Sequence, residues 1–304
     1  MARKAAPKKA AAKKAPKTAS KPNKTKKKTK KVAPKRAAAP KKKVAKKKAA
    51  PTRVQAIAAG ASGEKLGEIT VPSGTLAVFD IGLLGYLPRP ALEPAIVKTA
   101  APADRSLPVI GHRVGKGRFA DCWDHVTVTL SSGEITHSKK LGEAGVDFAR
   151  LVCMDHGALD HWKHEDSLDG LADVVFWGRD AGAAARVTGA KANPEGYGWT
   201  NLSLADAEAK ALEVDKKKAA NHWGLAIDFR PHSHHFYALA EARKNKHGAG
   251  TIEVDGATVC LFFTSWGDGV FPIYLDLDEA DRPVQLRVQL NTADSMAAMH
   301  AVNR

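Results

Sequence analysis

Apolar and polar positions alternate in the last third of the chain as they do in β-strands. Residues 258–264 (TVCLFFT) form a continuous apolar and β-branched run, which is typical of a buried strand, and residues 271–277 and 284–290 alternate. The glycines of residues 266–269 (WGDG) can take positive φ, and residues 278–283 (DEADRP) form a turn cluster. This pattern predicts a β-meander, with a hairpin between the first two strands and an aromatic wall beside its turn.

Similar patterns predict strands earlier in the chain. Residues 67–71 (GEITV) and 75–81 (TLAVFDI) flank a Pro-Ser-Gly turn, which predicts a first hairpin. Residues 125–130 (HVTVTL) predict a further strand. Residues 145–155 (GVDFARLVCMD) are an apolar run that ends in an acid, and they predict a central strand.

Two segments have helical patterns. Residues 205–220 predict a helix with Ser203 or Asn201 as its cap, and residues 234–245 predict a second one. The predicted class is α+β: a sheet-rich, mainly antiparallel single domain with a few helices over residues 66–304. Residues 54–65 are predicted to be a linker.

The composition of the first 53 residues differs from that of the rest. They contain no aromatic residue and 23 Lys and Arg, and the first acid of the chain is Glu64. The whole chain has 48 basic and 32 acidic residues, which leaves 25 basic against 32 acidic after residue 53. The charge is therefore segregated into a tail of about +23 and a body of about −7.

Such a tail cannot bury enough apolar area to offset its ordering entropy, so we expect it to be disordered when free. Its words AAPKKAAAKKAPK and AAPKKKVAKKKAAP resemble the C-terminal tails of linker histones. A flexible polycation releases condensed counterions from a polyanion, which predicts binding to DNA that weakens steeply with salt. Binding is expected through the clustered lysines Lys8, Lys9, Lys13, Lys14, Lys26, Lys27, Lys28, Lys30, Lys31, Lys41, Lys42, Lys43, Lys46, Lys47 and Lys48.

Base-specific readout is not predicted, because the sequence has no zinc-finger pattern and no evident recognition helix. The alternatives are a merely solubilising tail, or binding to RNA, polyphosphate or an anionic membrane. The tail lacks the apolar anchor that a membrane partner requires. Residues 40–48 (PKKKVAKKK) also resemble a nuclear-import signal, which matters only in a eukaryotic cell.

No stretch is apolar enough for a membrane span or a secretory signal. The three cysteines, Cys122, Cys153 and Cys260, are widely spaced and give no disulfide framework and no metal knuckle. We therefore expect a cytoplasmic, nucleoid-associated protein with buried thiols, or a nuclear one in a eukaryote.

Three segments together resemble a known family. They are residues 67–80 (GEITVPSGTLAVFD), 145–155 (GVDFARLVCMD) and 265–288 (SWGDGVFPIYLDLDEADRPVQLRV), which are similar to the start, middle and end of the bacterial domain of unknown function numbered 4241. The resemblance implies a fold but no activity, since that family is uncharacterised. The positions that match its motifs are Gly145, Asp147, Asp155, Trp266, Gly267, Asp268, Gly269 and Pro272.

Three aspartates are candidates for catalysis. Asp147 and Asp155 lie at the start and end of one predicted strand, and Asp268 lies in the glycine turn. If these positions meet in the sheet, their carboxylates can hold a divalent cation, as in a nuclease. The alternative is that Asp268 bonds backbone amides of a tight turn.

Two histidine-rich segments can supply imidazole ligands. One is RPHSHHFY with His232, His234 and His235, and the other is DHGALDHWKHED. In the second, His161 and Glu165 have helical i, i+4 spacing. The alternative is exposed histidines in polar loops, so no cofactor or metal is predicted. The other histidines considered are His156 and His164.

The leading hypothesis is a non-enzymatic, sequence-unspecific nucleic-acid-binding protein with a folded domain of separate function. A metal-dependent hydrolase tethered to nucleic acid by the tail is the first alternative. The second is a protein-interaction or immunity-type module that binds a partner through an aromatic face at Trp266 and Phe271. Asp276, Asp278 and Asp281 imitate a calcium loop only superficially, because no glutamate closes it.

Overall fold

A computed structural model of the protein describes residues 63–302. The predicted α+β class, rich in antiparallel sheet, is confirmed. The five helices are α1 (Arg89–Leu92), α2 (Ala181–Thr188), α3 (Leu204–Asn221), α4 (His234–Lys244) and α5 (Ala293–Val302). The fifteen strands are β1 (Glu64–Ile69), β2 (Thr75–Phe79), β3 (Val97–Ala100), β4 (Leu107–Arg113), β5 (Trp123–Thr129), β6 (His137–Val146), β7 (Arg150–Asp155), β8 (Leu171–Gly178), β9 (Lys191–Asn193), β10 (Gly196–Ser203), β11 (Leu225–Pro231), β12 (Ala249–Val254), β13 (Ala257–Phe263), β14 (Gly269–Leu277) and β15 (Pro283–Gln289).

The strands form three antiparallel sheets. The first has the order β1-β4-β5-β15-β14-β6, and the second has the order β12-β13-β7-β2-β3. The third has the order β11-β8-β10-β9. Side chains from the first two sheets share one large apolar cluster, so these sheets pack face to face.

The second sheet is buried on both faces. Along β7, Leu151 and Cys153 point into the cluster shared with the first sheet, while Val152 and Met154 point into a second cluster. The second cluster is closed by Ala238 and Ala242 of α4 and by short 3-10 turns. A strand buried on both faces needs apolar residues at successive positions, which explains the continuous run LVCM at residues 151–154.

The third sheet has its own small apolar clusters with α2 and α3. Phe176 of β8 packs against Ala184 of α2 and Val214 of α3. Of the two predicted caps of α3, Ser203 is confirmed rather than Asn201, since the Ser203 side chain accepts a hydrogen bond from the backbone N–H of Asp206. The second predicted helix is α4, and Ser233 caps it in the same way through the N–H of Phe236.

Both predicted hairpins with residues 67–81 and 258–277 are wrong, although their strands are present. β1 pairs with β4, whereas β2 pairs with β3 and β7 in another sheet. β13 pairs with β12 and β7, and β14 pairs with β15 and β6. Each predicted turn therefore carries the chain from one sheet of the sandwich to the other, and only the β14–β15 return of the meander is a hairpin.

The predicted central strand over residues 145–155 is divided. Gly145 lies near the end of β6, which stops at Val146 in the first sheet, and the chain turns at residues 147–149 before β7 begins at Arg150. Ala149 takes a φ of 52° in this turn. The central position is confirmed for β7, which lies in the middle of its sheet.

The predicted tail, residues 1–53, lies outside the described residues, as do residues 54–62 of the predicted linker at residues 54–65. β1 begins at Glu64, so the described fold starts two residues before the predicted boundary. Cys153 and Cys260 are buried opposite each other on β7 and β13, as free thiols, and Cys122 is half-buried.

The first sheet contains a buried ion pair. The Arg287 guanidinium donates to both carboxylate oxygens of Asp276 at 2.9 and 3.0 Å, and Ser138 donates to the same carboxylate. Burial acts to raise the pKa of Asp276, but hydrogen bonds from Arg287 and Ser138 outweigh it and lower that pKa. Asp276 is therefore a structural anion, while Asp278 bonds the backbone N–H groups of Ala280 and Arg282.

We expect Arg287→Ala to lower the free energy of unfolding by about 3–5 kcal/mol, because it leaves a buried carboxylate without its partner. Urea denaturation measures this loss. Arg282→Ala is the matched control, since Arg282 pairs with Asp278 on the same hairpin but is 78% exposed. That control should change the free energy by about 1 kcal/mol or less. Equal losses in the two variants would contradict the structural role of the buried pair.

Candidate functional site

A polar cavity of about 590 Å³ lies beside the second sheet. Its walls come from the 3-10 turn Ile81–Gly85, the residues that begin β7, the end of β11 and one side of α4. Residues 164–165, which follow the 3-10 turn Gly157–His161, close another side. This volume is in the range of small-molecule sites in proteins.

Arg150 is the central cation of the cavity. It is the first residue of β7, so its backbone is fixed by pairing with Phe263 of β13. Its guanidinium lies 5.3 Å from the centre of the Phe148 ring. Nε is buried and has no hydrogen-bond partner among the described residues. Burial lowers the pKa of Arg150, and the nearby Asp80 carboxylate opposes that shift.

Asp80 shapes the turn that presents Arg150. One carboxylate oxygen accepts the N–H of Gly82 at 2.8 Å, and the other accepts the N–H groups of Asp147 and Phe148 at 2.8 and 3.0 Å. Asp80 is fully buried, and this burial raises its pKa despite the three backbone donors. Because its oxygens are bonded to the backbone, Asp80 holds together two segments of the cavity wall.

Two stacked histidines line the cavity. The rings of His164 and His235 have centroids 4.1 Å apart, and Gly85 permits the contact because a Cβ there would lie 2.9 Å from His164 Nε2. Burial lowers the pKa of His164 to about 4 and that of His235 to about 2. Both imidazoles are therefore neutral at pH 7 and act as hydrogen-bonding groups. His235 Nε2 is buried without a hydrogen-bond partner in the described part of the chain.

The opposite wall carries paired charges. Glu195 joins Arg230 and Arg243, with contacts of 2.6 and 2.7 Å from its two carboxylate oxygens. Asp228 makes a second contact with Arg230 at 2.6 Å. These charges neutralise one another, whereas Arg150 faces them with an unpartnered nitrogen.

An aromatic pair stands beside Arg150. The rings of Tyr86 and Phe148 are stacked, with centroids 5.2 Å apart and planes 17° from parallel. Tyr86 is 73% exposed, so one face of the cavity is an accessible aromatic surface. Gly82 lets Phe148 approach, because a Cβ at that position would overlap the Phe148 ring.

His232 ties the start of α4 to β8. Its Nδ1 lies 2.9 Å from Asp169 and its Nε2 lies 3.1 Å from Asp173, so both nitrogens donate and the ring is the imidazolium. Burial would lower the pKa of His232, but the hydrogen bonds to Asp169 and Asp173 outweigh it and raise that pKa. Tyr237 also donates to Asp169, at 2.9 Å. The result is a rigid frame behind the cavity.

The three catalytic candidates Asp147, Asp155 and Asp268 do not meet in one site. Asp268 accepts the N–H of Ala149 before β7, whereas Asp155 ends β7, which separates them by about 20 Å at 3.3 Å per residue. Asp155 instead accepts the backbone N–H groups of Ser73, Gly157 and Ala158. The described residues contain no group of three or more His, Cys, Asp or Glu that could hold a metal ion.

The two histidine segments meet, but as a stacked pair rather than as a ligand set. Of the remaining candidates, His156 contacts Glu93 at 3.0 Å, His161 contacts Asp255 at 3.0 Å and His234 accepts the N–H of Lys163 at 2.9 Å. The helical spacing of His161 and Glu165 is wrong, because the 3-10 turn ends at His161.

The predicted aromatic face at Trp266 and Phe271 is also wrong. These side chains are 3% and 0% exposed. Trp266 Nε1 donates to the backbone carbonyl of Trp123 at 2.6 Å, and its ring packs against Phe119. Gly267 does take a positive φ of 77°, so the turn chemistry was correct while the exposure was not. Gly269 and Pro272 lie in β14.

Sequence reasoning missed Asp80, Arg150 and Tyr86. A charged residue inside the apolar run of residues 145–155 was the available signal for Arg150. No local pattern marks Asp80 or Tyr86, since their importance comes from contacts with residues more than sixty positions away.

Comparison with family models, with curated proteins and with solved structures gave no match for this chain. The resemblance to the domain of unknown function 4241 therefore stays a prediction. Within residues 63–302, no helix has the length and apolar character to cross a membrane.

The His232 frame predicts a pH dependence of stability. Because the pKa of His232 is raised on folding, protonated His232 stabilises the folded protein. This stabilisation is complete below the unfolded pKa of about 6.5, and it is lost as the pH rises through the folded pKa. We expect His232→Gln to lower the free energy of unfolding by about 1–3 kcal/mol at pH 5.5 and by less at pH 8.5. Denaturant titrations at both pH values measure the difference. His161→Gln, at an exposed pair with Asp255, should show no such trend.

Proposed function

We propose that this protein binds DNA without sequence specificity through residues 1–53, and that its folded part has a separate, non-enzymatic recognition function. The observation that carries the proposal is the segregation of charge. Residues 1–53 hold 23 basic residues and no acid, while the rest of the chain has a net charge of about −7. An acidic body gives no general attraction to phosphates, so the tail is the part suited to a polyanion.

The lysine spacing favours a backbone contact over base readout. Fifteen of the tail lysines stand in runs of two or three, separated by segments rich in Ala, Pro and Thr. Such runs present point charges that neutralise phosphates, whereas base readout uses bidentate side chains in a fixed groove geometry. Binding of this kind would place the protein on a bacterial nucleoid, or in the nucleus of a eukaryotic cell.

The alternatives have less support. The nuclease hypothesis requires Asp147, Asp155 and Asp268 in one site, and two of them lie at opposite ends of β7. The interaction-module hypothesis requires an exposed face at Trp266 and Phe271, and both are buried. The acidic body can still weaken DNA binding by the tail, because its carboxylates compete with DNA phosphates for the tail lysines. Salt screens this competition.

Duplex-DNA affinity should be measured against salt for the full chain and for a chain that starts at Val54. We expect tight binding of the full chain at low salt, a steep linear fall of log affinity with log salt, and loss of binding in the shortened chain. The proposal fails if the shortened chain binds equally well or the full chain does not bind. Parallel titrations with RNA and polyphosphate show which polyanion is preferred.

A charge-matched pair of variants makes this test sharper. Lys46, Lys47 and Lys48 changed together to Gln should reduce the log-log salt slope by up to about 2.7, or 0.9 for each lost phosphate contact. The control changes Lys139, Lys191 and Lys216 to Gln, which removes the same charge from exposed positions of the body. An equal loss of slope in both variants would show that net charge, rather than the tail, governs binding.

A further inference from the structure

Two buried polar atoms of the cavity are without hydrogen-bond partners. They are Arg150 Nε and His235 Nε2, and they are two of only four such side-chain atoms in the described part of the chain. Buried polar groups in folded proteins are nearly always bonded, and leaving one unpaired is costly. Both atoms belong to the wall of one cavity, which suggests that a ligand completes them.

Arg150 is not required by the fold as an ion-pair partner. The other two arginines of the cavity, Arg230 and Arg243, are paired with Glu195. Asp80 is the carboxylate that interacts most strongly with the charge of Arg150, but its oxygens already accept three backbone N–H groups. A cation that is kept in a partly buried place without a direct ion-pair partner is typical of a binding site for an anion.

We propose that this cavity binds a small organic monocarboxylate that carries a planar ring, with the carboxylate between Arg150 and His235 and the ring against Tyr86 and Phe148. The planar guanidinium donates to a carboxylate in a fixed geometry, which a lysine would not reproduce. The neutral His235 ring can donate to the same group from Nε2. The site is independent of residues 1–53 and of their DNA binding.

The charges of the cavity favour a single negative charge on the ligand. Arg150 is the arginine left unpaired in the wall, while Glu165 stands exposed at the rim and repels further anionic groups. A dianion such as a phosphate monoester would need a second free cation. A monocarboxylate matches one guanidinium.

The aromatic pair favours a planar ring in the ligand. Tyr86 and Phe148 already stack on each other, and Tyr86 is exposed. A ring of the ligand can therefore stack on Tyr86 as the third ring of the series. Offset stacking of this kind adds to the burial of apolar area. The cavity of about 590 Å³ leaves room for substituents beyond a single ring.

Benzoate is the first probe, and neutral benzamide is its match in shape. Saturation-transfer difference NMR and chemical-shift titration with the full chain should show benzoate binding at least about tenfold more tightly than benzamide, because only benzoate carries the charge that Arg150 recognises. Phenyl phosphate tests the charge assignment. Tighter binding of phenyl phosphate than of benzoate would overturn the monocarboxylate assignment, and equal binding of benzoate and benzamide would overturn the anion site.

Arg150→Met should weaken benzoate binding at least about tenfold, while its thermal unfolding midpoint stays equal or rises, because the change removes an unpartnered buried cation. His235→Phe keeps the stacking on His164 and should weaken binding as well. Arg186→Met removes an exposed arginine of α2 outside the cavity and should leave binding unchanged, which controls for the loss of one positive charge. Unchanged binding in a folded Arg150→Met variant, or a large fall in its unfolding midpoint, would refute the proposal.

Discussion

Strand β7 is the element on which the rest of the described structure depends. Both of its faces are buried, one against the first sheet and the other against α4. The two ends of β7 therefore lie in different polar surroundings. Arg150 begins the strand at the cavity, and Asp155 ends it where the carboxylate bonds three backbone N–H groups. Apolar burial fixes the strand, and the strand fixes where these charges lie.

The buried polar groups of the described fold fall into two kinds. Most are fully bonded and hold the fold, as in the pair of Arg287 with Asp276 and the contacts of His232 with two aspartates. Arg150 and His235 are different, since each keeps a buried nitrogen without a partner in the described chain. Buried polar groups are costly when unpaired, so this difference separates structural charges from a candidate binding site.

The tail and the body follow different physical rules. Residues 1–53 have charge without apolar content, so their interactions are long-range and sensitive to salt. In the body, Arg230 and Arg243 of the cavity are paired, so the recognition that we propose there depends on Arg150 and on the shape of the cavity. In our two proposals, one chain combines a segment that binds a polyanion with a cavity that binds a small anion.

The sequence by itself determined the fold class, seven of the fifteen described strands, the start of α3 and the segregation of charge, because these depend on local periodicity and composition. Tertiary structure alone decided the strand pairing, since a short turn such as residues 72–74 can close a hairpin or cross between sheets. It also decided the cavity. Asp80, Arg150 and His235 are distant in sequence, and packing of the sheet against α4 brings them together while it separates Asp155 from Asp268.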